Sequence, residues 1–105
     1  MPDFVTIARV SDLEPGGVKL FDVAGRRVAL VNANGVFYAV DGRCPHQNVS
    51  MIDGLIVDDT IICPFHGSVF NLKTGAVVLS PAVDPIQTYP VEVLDGVVRL
   101  GYPGT

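Results

Sequence analysis

The chain has 105 residues, of which 49% are hydrophobic and 17% charged, and its formal net charge is −4. This length predicts a single domain, and the high apolar content excludes an intrinsically disordered chain. The acidic balance argues against binding to nucleic acid or to an anionic membrane surface. No apolar run approaches the roughly 20 residues of a membrane-spanning helix, and the N-terminal residues lack the pattern of a signal peptide. We therefore expect a cytoplasmic protein.

Short runs rich in β-branched and aromatic residues begin near the N-terminus and predict strands. The first two are Phe4–Val10 and Val18–Val23. Between them, Ser11–Glu14 is predicted to form one helical turn that has Ser11 as its N-cap and ends at Pro15. Helical periodicity is otherwise nearly absent from the chain.

Turn sequences divide the rest of the chain into further strands. Asn34-Gly35 and Asp95-Gly96 predict β-hairpins, because both central residues of the favoured turn need positive φ. Lys73–Gly75 predicts a third tight turn. The apolar runs that flank these turns are Arg26–Val31 with Val36–Val40, Val91–Leu94 with Val97–Leu100, and Val69–Leu72 with Ala76–Leu79. Many short strands with regular turns predict an all-β fold, an antiparallel β-sandwich or small barrel.

Every Cys and His of the chain lies in one stretch of 23 residues, in the order Cys44, His46, Cys63, His66. The spacing is C-x-H-x16-C-x2-H, so each of two loops supplies one thiolate and one imidazole, and the segment between the loops is long enough for a hairpin. Two thiolates and two imidazoles are the ligands of a mixed-ligand [2Fe–2S] centre, with both Cys on one iron and both His on the other.

Three other interpretations of these four residues remain open at this point. Zinc binds two Cys and two His, but structural zinc sites usually pair C-x2–4-C with H-x3–5-H, whereas each loop here mixes the two residue types. A Cys44–Cys63 disulfide would leave the His that follows each Cys unexplained. A Cys/His nucleophilic pair would lack an orienting third group and an oxyanion-hole signature.

Taken together, Cys44–His46 (CPH) and Cys63–Gly67 (CPFHG) resemble the Rieske iron–sulfur motif. Ser80–Ala82 resembles the proline loop that covers the cluster in that family, and Tyr89–Val93 resembles the strand that returns from the loop to the base of the domain. In length, the chain is similar to the free-standing Rieske ferredoxins of bacterial aromatic ring-hydroxylating dioxygenase systems.

This resemblance implies a single Rieske domain over residues 1–105. A cluster-binding β subdomain of about residues 42–82 would be inserted into an antiparallel β base formed by about residues 1–41 and 83–105. One Rieske-type [2Fe–2S] cluster would have Cys44 and Cys63 on its inner iron and His46 and His66 on its outer iron, near the surface. The residues implied to surround the cluster are Pro45, Pro64, Phe65, Gly67, Ser68 and Pro81.

The resemblance also implies an electron carrier rather than an enzyme. It would be a monomer that takes electrons from an NAD(P)H-dependent ferredoxin reductase to a terminal Rieske non-haem iron oxygenase in aromatic compound degradation. An oxygenase site of its own would need two His and a carboxylate beyond the cluster, and no further His exists. The alternative in the same fold is the small Rieske subunit of an assimilatory nitrite reductase, which often lacks ligands. The alternative of another class is a structural zinc-binding module.

Two residues bear on the reduction potential. High-potential family members have an additional disulfide between the loops, and this chain has no third Cys. Phe70 stands where those members have a Tyr that donates a hydrogen bond near the cluster, whereas Ser68 matches their Ser donor. The resemblance therefore implies a low potential, and Ser68 is either the retained donor or an ordinary turn serine.

Acidic residues outnumber basic ones around the motif. Between Asp41 and His66 the only base is Arg43, and the acids are Asp41, Asp53, Asp58 and Asp59. Such an excess is predicted to steer the protein towards basic patches on its partners, with rates that fall as salt rises. The alternative is a merely solvated surface.

Overall fold

The computed structural model describes residues 3–23, 25–44, 50–64, 67–79 and 84–102, and in this part of the chain the fold is built from antiparallel strands. The strands are β1 Asp3–Arg9, β2 Val18–Val23, β3 Arg26–Ala33, β4 Val36–Asp41, β5 Leu55–Val57, β6 Thr60–Ile62, β7 Val69–Asn71, β8 Val77–Leu79, β9 Thr88–Tyr89, β10 Val91–Leu94 and β11 Val97–Tyr102. They form three sheets with the orders β1-β11-β10, β2-β3-β4-β9 and β5-β6-β7-β8. The all-β antiparallel prediction is confirmed.

The hairpin turns have the backbone conformation that their sequences require. Asn34 and Gly35 have φ of 53° and 92° and connect β3 to β4, while Asp95 and Gly96, at 52° and 77°, connect β10 to β11. Asp58, at φ 53°, lies in the turn of the β5–β6 hairpin, which fills the segment between the two Cys-containing loops. Asn and Asp tolerate this left-handed region better than other non-glycine residues.

The predicted helical turn differs from the observed one. A 3-10 helix spans Val10–Asp12, and the Arg9 N–H donates to the Asp12 carboxylate at 2.9 Å, so the prediction that Ser11 caps the helix is wrong. Leu13 is already extended, at φ −140°, and its side chain is buried in the core. Burying this side chain is worth about 1.5–3 kcal/mol, which outweighs an exposed cap of about 1 kcal/mol. No helix in the described part of the chain is long and apolar enough to cross a membrane.

Strand β3 is the centre of the molecule, because it is buried on both faces from Val28 to Ala33. Its residues alternate between two layers, as the twofold period of a strand requires. Leu30 packs with Val98 against the β1-β11-β10 sheet, whereas Val31 packs with Phe70 against the β5-β6-β7-β8 sheet. The β2-β3-β4-β9 sheet therefore forms a middle layer that supports the sheet carrying Cys63 at its end.

The segment predicted as one strand over Tyr89–Val93 forms two strands in two different sheets. Tyr89 pairs with Ala39 of β4, and Val91 pairs with Leu100 of β11. Pro90 lies between them and has no N–H to donate to a ladder, while its carbonyl accepts a hydrogen bond from the Gly101 N–H at 2.8 Å. Pro90 thus divides the run and lets the chain cross from one sheet to the other.

Candidate metal centre

Two loops of equal length follow β4 and β6, and each begins with a cysteine. Residues 44–49 lie between Arg43 and Ser50, which form an isolated antiparallel bridge. Residues 63–68 lie between Ile62 and Val69, which pair in the β6–β7 ladder. In both cases the Cys comes directly after the pair that closes the loop, an isolated bridge in the first loop and the last pair of the β6–β7 ladder in the second. The sequence-predicted ligands Cys44 and Cys63 therefore occupy equivalent positions in their loops.

Both cysteine side chains are withdrawn from solvent. Cys44 is 1% exposed and Cys63 is 2% exposed, and both belong to one buried cluster that includes Met51, Ile61 and Phe70. No disulfide joins the two thiols, which removes that alternative. Because a thiolate in apolar surroundings is poorly solvated, it needs a cation beside it to be stable. Two buried sulfur donors in one cluster, on two separate loops, therefore fit an iron–sulfur group.

Backbone hydrogen bonds fix the base of the first loop. The Gly42 N–H donates to the Arg27 carbonyl at 3.0 Å, and the Gly42 carbonyl accepts from the Met51 N–H at 2.8 Å. A Cβ at Gly42 would lie 2.7 Å from the Arg27 Cγ and 3.2 Å from the Arg27 carbonyl oxygen, so a larger residue here would have to displace the Arg27 side chain. The chain on both sides of residues 44–49 is thereby held against β3.

The second loop is fixed in a similar way. The Cys63 N–H donates to the Ser68 carbonyl at 2.7 Å, and Ser68 is fully buried next to the strand pair. Gly67 has a φ of 74°, a left-handed conformation that glycine adopts at no steric cost. Pro64 is exposed, so it lies at the solvent side of the loop.

The remaining predicted site residues lie outside the described part of the chain. They are the two imidazole ligands and three residues implied to surround the cluster, namely His46, His66, Pro45, Phe65 and Pro81. Among the residues that are described, no three His, Cys, Asp or Glu side chains are gathered into one group. The assignment of four ligands thus remains a prediction.

A polar network that the sequence analysis missed lies at the entry to the first loop. The Tyr89 hydroxyl donates to the Asp41 carboxylate at 2.7 Å and accepts from the Arg26 guanidinium at 3.4 Å. Burial raises the pKa of Tyr89 above its usual value, and donation to Asp41 adds to this effect, while Arg26 opposes it. The hydrogen bond to Tyr89 raises the pKa of Arg26. No local sequence pattern connects these residues, since they meet only through strand pairing.

A profile of the Rieske [2Fe-2S] domain matches residues 3–90 of the sequence, which include both loops and every strand from β1 to β9. The chain belongs to the Rieske [2Fe–2S] family. Its cofactor is one Rieske-type [2Fe–2S] cluster, and the zinc-module alternative is therefore wrong.

Two relatives narrow the role of this Rieske protein. The 3-phenylpropionate/cinnamic acid dioxygenase ferredoxin subunit of Escherichia coli K12 is 47% identical over 77 residues, which cover 72% of this chain and 73% of that protein. A solved complex of reduced oxygenase and oxidised ferredoxin in carbazole 1,9a-dioxygenase contains a chain that is 32% identical, with a TM-score of 0.86, and the match covers 93% of this chain and 92% of that one.

A solved structure of an NADH-dependent nitrite reductase small subunit from Mycobacterium tuberculosis superimposes with a TM-score of 0.90 over 100% of this chain and 99% of its own. At 22% identity it shares the fold alone. The sequence relatives therefore decide the role. This Rieske protein is a ferredoxin-type electron-transfer component of a dioxygenase system and not the catalytic oxygenase.

Proposed function

We propose that this protein carries single electrons from an NAD(P)H-dependent ferredoxin reductase to a terminal Rieske non-haem iron oxygenase that attacks aromatic compounds. The observation that carries the proposal is the pair of buried sulfur donors, Cys44 and Cys63, at the fixed bases of two loops. The 47% identity to a dioxygenase ferredoxin subunit supports the choice of partners.

We assign Cys44 and Cys63 to the inner iron of the cluster and His46 and His66 to the outer iron. When bound, the cluster supplies a site that takes up and releases one electron. The burial of both cysteines, at 1% and 2% exposure, supports the inner assignment because it keeps water from the sulfur atoms. The residues that we propose to surround the cluster are Pro45, Pro64, Phe65, Gly67, Ser68 and Pro81.

The bases of the two loops keep the sulfur donors in position for electron transfer. Hydrogen bonds of 2.7 Å between Cys63 and Ser68, and of 2.8 Å between Met51 and Gly42, close the two loops at their bases. A donor set that is already in position needs little rearrangement when its charge changes by one electron, because preorganised groups avoid reorganisation at the moment of transfer. This property suits a carrier that must both accept and release an electron readily.

We further propose that about residues 42–82 form a cluster-binding subdomain and that the protein acts as a cytoplasmic monomer. The sheet β5-β6-β7-β8 supports the subdomain, since all four strands fall within that range. Transient redox complexes have small interfaces, which a monomer can offer and release.

The proposal is tested with purified protein and its two partner activities. We expect a reddish-brown protein with equal amounts of iron and acid-labile sulfide and a rhombic EPR signal after reduction. With a dioxygenase ferredoxin reductase, NADH should reduce the protein, and the reduced protein should then reduce a terminal oxygenase. A cluster-containing protein that exchanges electrons with neither partner would refute the carrier role while leaving the family assignment intact.

A further inference from the structure

The outer face of the β5-β6-β7-β8 sheet carries an apolar row. Leu55 pairs with Ile62, Ile62 with Val69, and Val69 with Leu79 across the three strand ladders, so the four side chains lie on one face. Leu55 and Leu79 are 62% and 59% exposed, and the two residues between them are partly exposed. We call these four residues the outer row.

The outer row is not needed to build the core. The opposite face of the same sheet is the one packed inside, where Ile61 and Phe70 are fully buried. A sheet with one buried face normally presents polar residues on its other face. In the neighbouring outer-face row Thr60 and Asn71 follow that rule and only Val57 does not, whereas all four residues of the outer row depart from it. Exposed, contiguous apolar side chains of this kind mark interaction sites.

The position of the outer row connects it with the candidate metal centre. Ile62 directly precedes Cys63, and Val69 directly follows Ser68, so the row is the last paired row of the sheet before the second loop. A protein that covers the outer row therefore lies beside the loop that holds a proposed inner ligand. This placement suits a partner that exchanges electrons with the cluster.

The size of the outer row favours a transient partner over a second copy of this chain. Four side chains across three strand spacings form a single row about 14 Å long, and one row of this length is too small to supply by itself the ~800 Å² that each partner buries in a standard stable interface. Two copies, each with a net charge of −4, would also repel one another. Electron-transfer complexes lie at the small end of the range of interface sizes.

The acidic residues near the outer row indicate the charge that a partner surface needs. Asp53 and Asp58 are exposed on either side of β5, and no Lys or Arg occurs between Arg43 and Lys73. A complementary surface would present an apolar patch with Lys or Arg at its border. Since a chain 32% identical to this one is found in a complex of oxygenase and ferredoxin, the oxygenase is favoured over the reductase.

We propose that the outer row, Leu55, Ile62, Val69 and Leu79, is a docking surface for the terminal oxygenase, which meets it with an apolar patch bordered by basic residues. This inference rests on the proposed function. Polar substitution of the row should weaken binding to the oxygenase and leave the cluster unchanged, because the side chains point away from the buried face that contains both cysteines.

The test uses the cluster-containing protein and the oxygenase of the 3-phenylpropionate/cinnamic acid dioxygenase from Escherichia coli K12. Binding is measured by titration calorimetry for wild type, Leu55→Ser, Leu79→Ser and Leu94→Ser. Leu94 is the matched control, because it is 52% exposed and lies on β10, an edge strand of a different sheet. We expect Kd to rise about fivefold or more for each outer-row variant and less than twofold for Leu94→Ser, with equal cluster absorbance throughout.

Each outcome has a separate meaning. If the wild type binds and the outer-row variants bind as well as Leu94→Ser does, the docking surface is refuted and the carrier role stands. If those variants lose binding only to a ferredoxin reductase measured in parallel, the row serves the electron donor and the choice of the oxygenase is wrong. If the wild type neither binds nor reduces the oxygenase, the docking proposal fails together with that step of the proposed function.

Discussion

The hydroxyl of Tyr89 donates a hydrogen bond of 2.7 Å to the carboxylate of Asp41. Asp41 ends β4, three residues before Cys44. Tyr89 ends β9, which lies beside β4 in the β2-β3-β4-β9 sheet. The backbone N–H of Asp41 also donates to the Gln87 carbonyl at 2.9 Å. The strand that leads into the candidate metal centre and the strand that leads out of it are thus joined by a side-chain and a backbone bond.

Tyr89→Phe should reduce the loss of stability at alkaline pH. The pKa of Tyr89 is raised above 10.0, mainly by burial, so the folded chain holds the phenol proton more tightly than the unfolded chain does. This stabilisation is complete below about pH 10 and is lost as pH rises through the folded pKa. We expect the free energy of unfolding to fall less steeply above pH 10 in the variant, as measured by urea unfolding at several pH values.

The same variant should cost about 0.5–1.5 kcal/mol at pH 7 for the short hydrogen bond to Asp41, while the bond of 3.4 Å from Arg26, which is also lost, adds less because of its length. Tyr38→Phe is the control, since Tyr38 lies on the same strand as Asp41 but outside this network. Parallel pH profiles for wild type and Tyr89→Phe would contradict the assignment of the alkaline loss to this phenol.

The sequence predicted most strands correctly because the signals for them are local. Asn34-Gly35 and Asp95-Gly96 determine their own turns, and β-branched runs flank them. The division of Tyr89–Val93 at Pro90 was not predictable, because it depends on which sheet accepts each half. The prediction of Ser11 as the N-cap was wrong for a related reason. The helix ends before Leu13 because that side chain is buried in the core, and this burial depends on the tertiary structure.

Only part of the candidate site could be predicted from the sequence. The Cys and His spacing predicts two ligand loops, and the structure buries Cys44 and Cys63, the two predicted ligands that it describes, in one cluster. The partnership of Tyr89 and Asp41 had no such signal, because 48 residues separate them in sequence. The outer row could not be predicted from the sequence for a similar reason. In the sequence, Ile62 and Val69 are ordinary strand residues, and only the pairing register of β6 and β7 shows which face of the sheet they occupy.

Replacing either buried cysteine by serine should abolish cluster binding. A serine hydroxyl is a poor iron–sulfur ligand at neutral pH, and even changes outside the ligand shell cost 10–100-fold in metal affinity, so we expect iron per chain to fall by at least about tenfold in Cys44→Ser and in Cys63→Ser. Iron, sulfide and visible absorbance are measured on protein purified without oxygen.

Met51→Leu is the control for the cysteine variants, because Met51 is fully buried in the same cluster and the exchange conserves volume. It should keep its iron. Full iron content in Cys44→Ser would overturn the assignment of Cys44 as a ligand.

Gly75→Ala should destabilise the fold by more than about 2 kcal/mol, the cost of a strained backbone plus overpacking. Gly75 has a φ of 79°, and an added Cβ would collide with the backbone carbonyl of Ile86, whose own N–H donates to the Gly75 carbonyl at 2.9 Å. Gly96→Ala is a matched control, because Gly96 has nearly the same φ, 77°, with open space around its Cβ.

Both glycine variants pay for positive φ, but only Gly75→Ala meets a collision. The difference between their free energies of unfolding therefore measures the close approach of Ile86 to β8 and its turn. Equal losses in thermal or urea unfolding would mean that the segment before β9 can shift away without cost.

Ser68→Ala should lower the midpoint potential if, as the family resemblance implies, the hydroxyl donates to a cluster sulfur. Ser68 is fully buried, and its carbonyl accepts from the Cys63 N–H at 2.7 Å, which holds it beside a proposed ligand. Losing a donor destabilises the reduced, more negative form of the centre. Protein-film voltammetry measures the shift, with the exposed Ser50→Ala as control. An unchanged voltammogram would remove Ser68 from the surroundings of the cluster.

Asp58→Asn should weaken the salt dependence of electron exchange. Asp58 is exposed in the β5–β6 turn of the sheet that carries the outer row, in a region without Lys or Arg between Arg43 and Lys73. If this charge steers the protein to a basic partner surface, the reduction rate of the wild type falls with rising salt, and the variant falls less. Stopped-flow reduction by the reductase and oxidation by the oxygenase, each over a salt series, give the two slopes.

Asp95→Asn provides the control for this charge. Asp95 is also exposed, also has a positive φ, 52° against 53° for Asp58, and also lies in a two-residue hairpin turn. Asn tolerates this conformation as well as Asp does, so both variants change charge without changing the turn. Asp95 lies on the β10–β11 hairpin, in a different sheet from the candidate docking face. Equal slopes for the two variants would mean that the net charge of the whole protein, and not the acidic border of the outer row, sets the encounter rate.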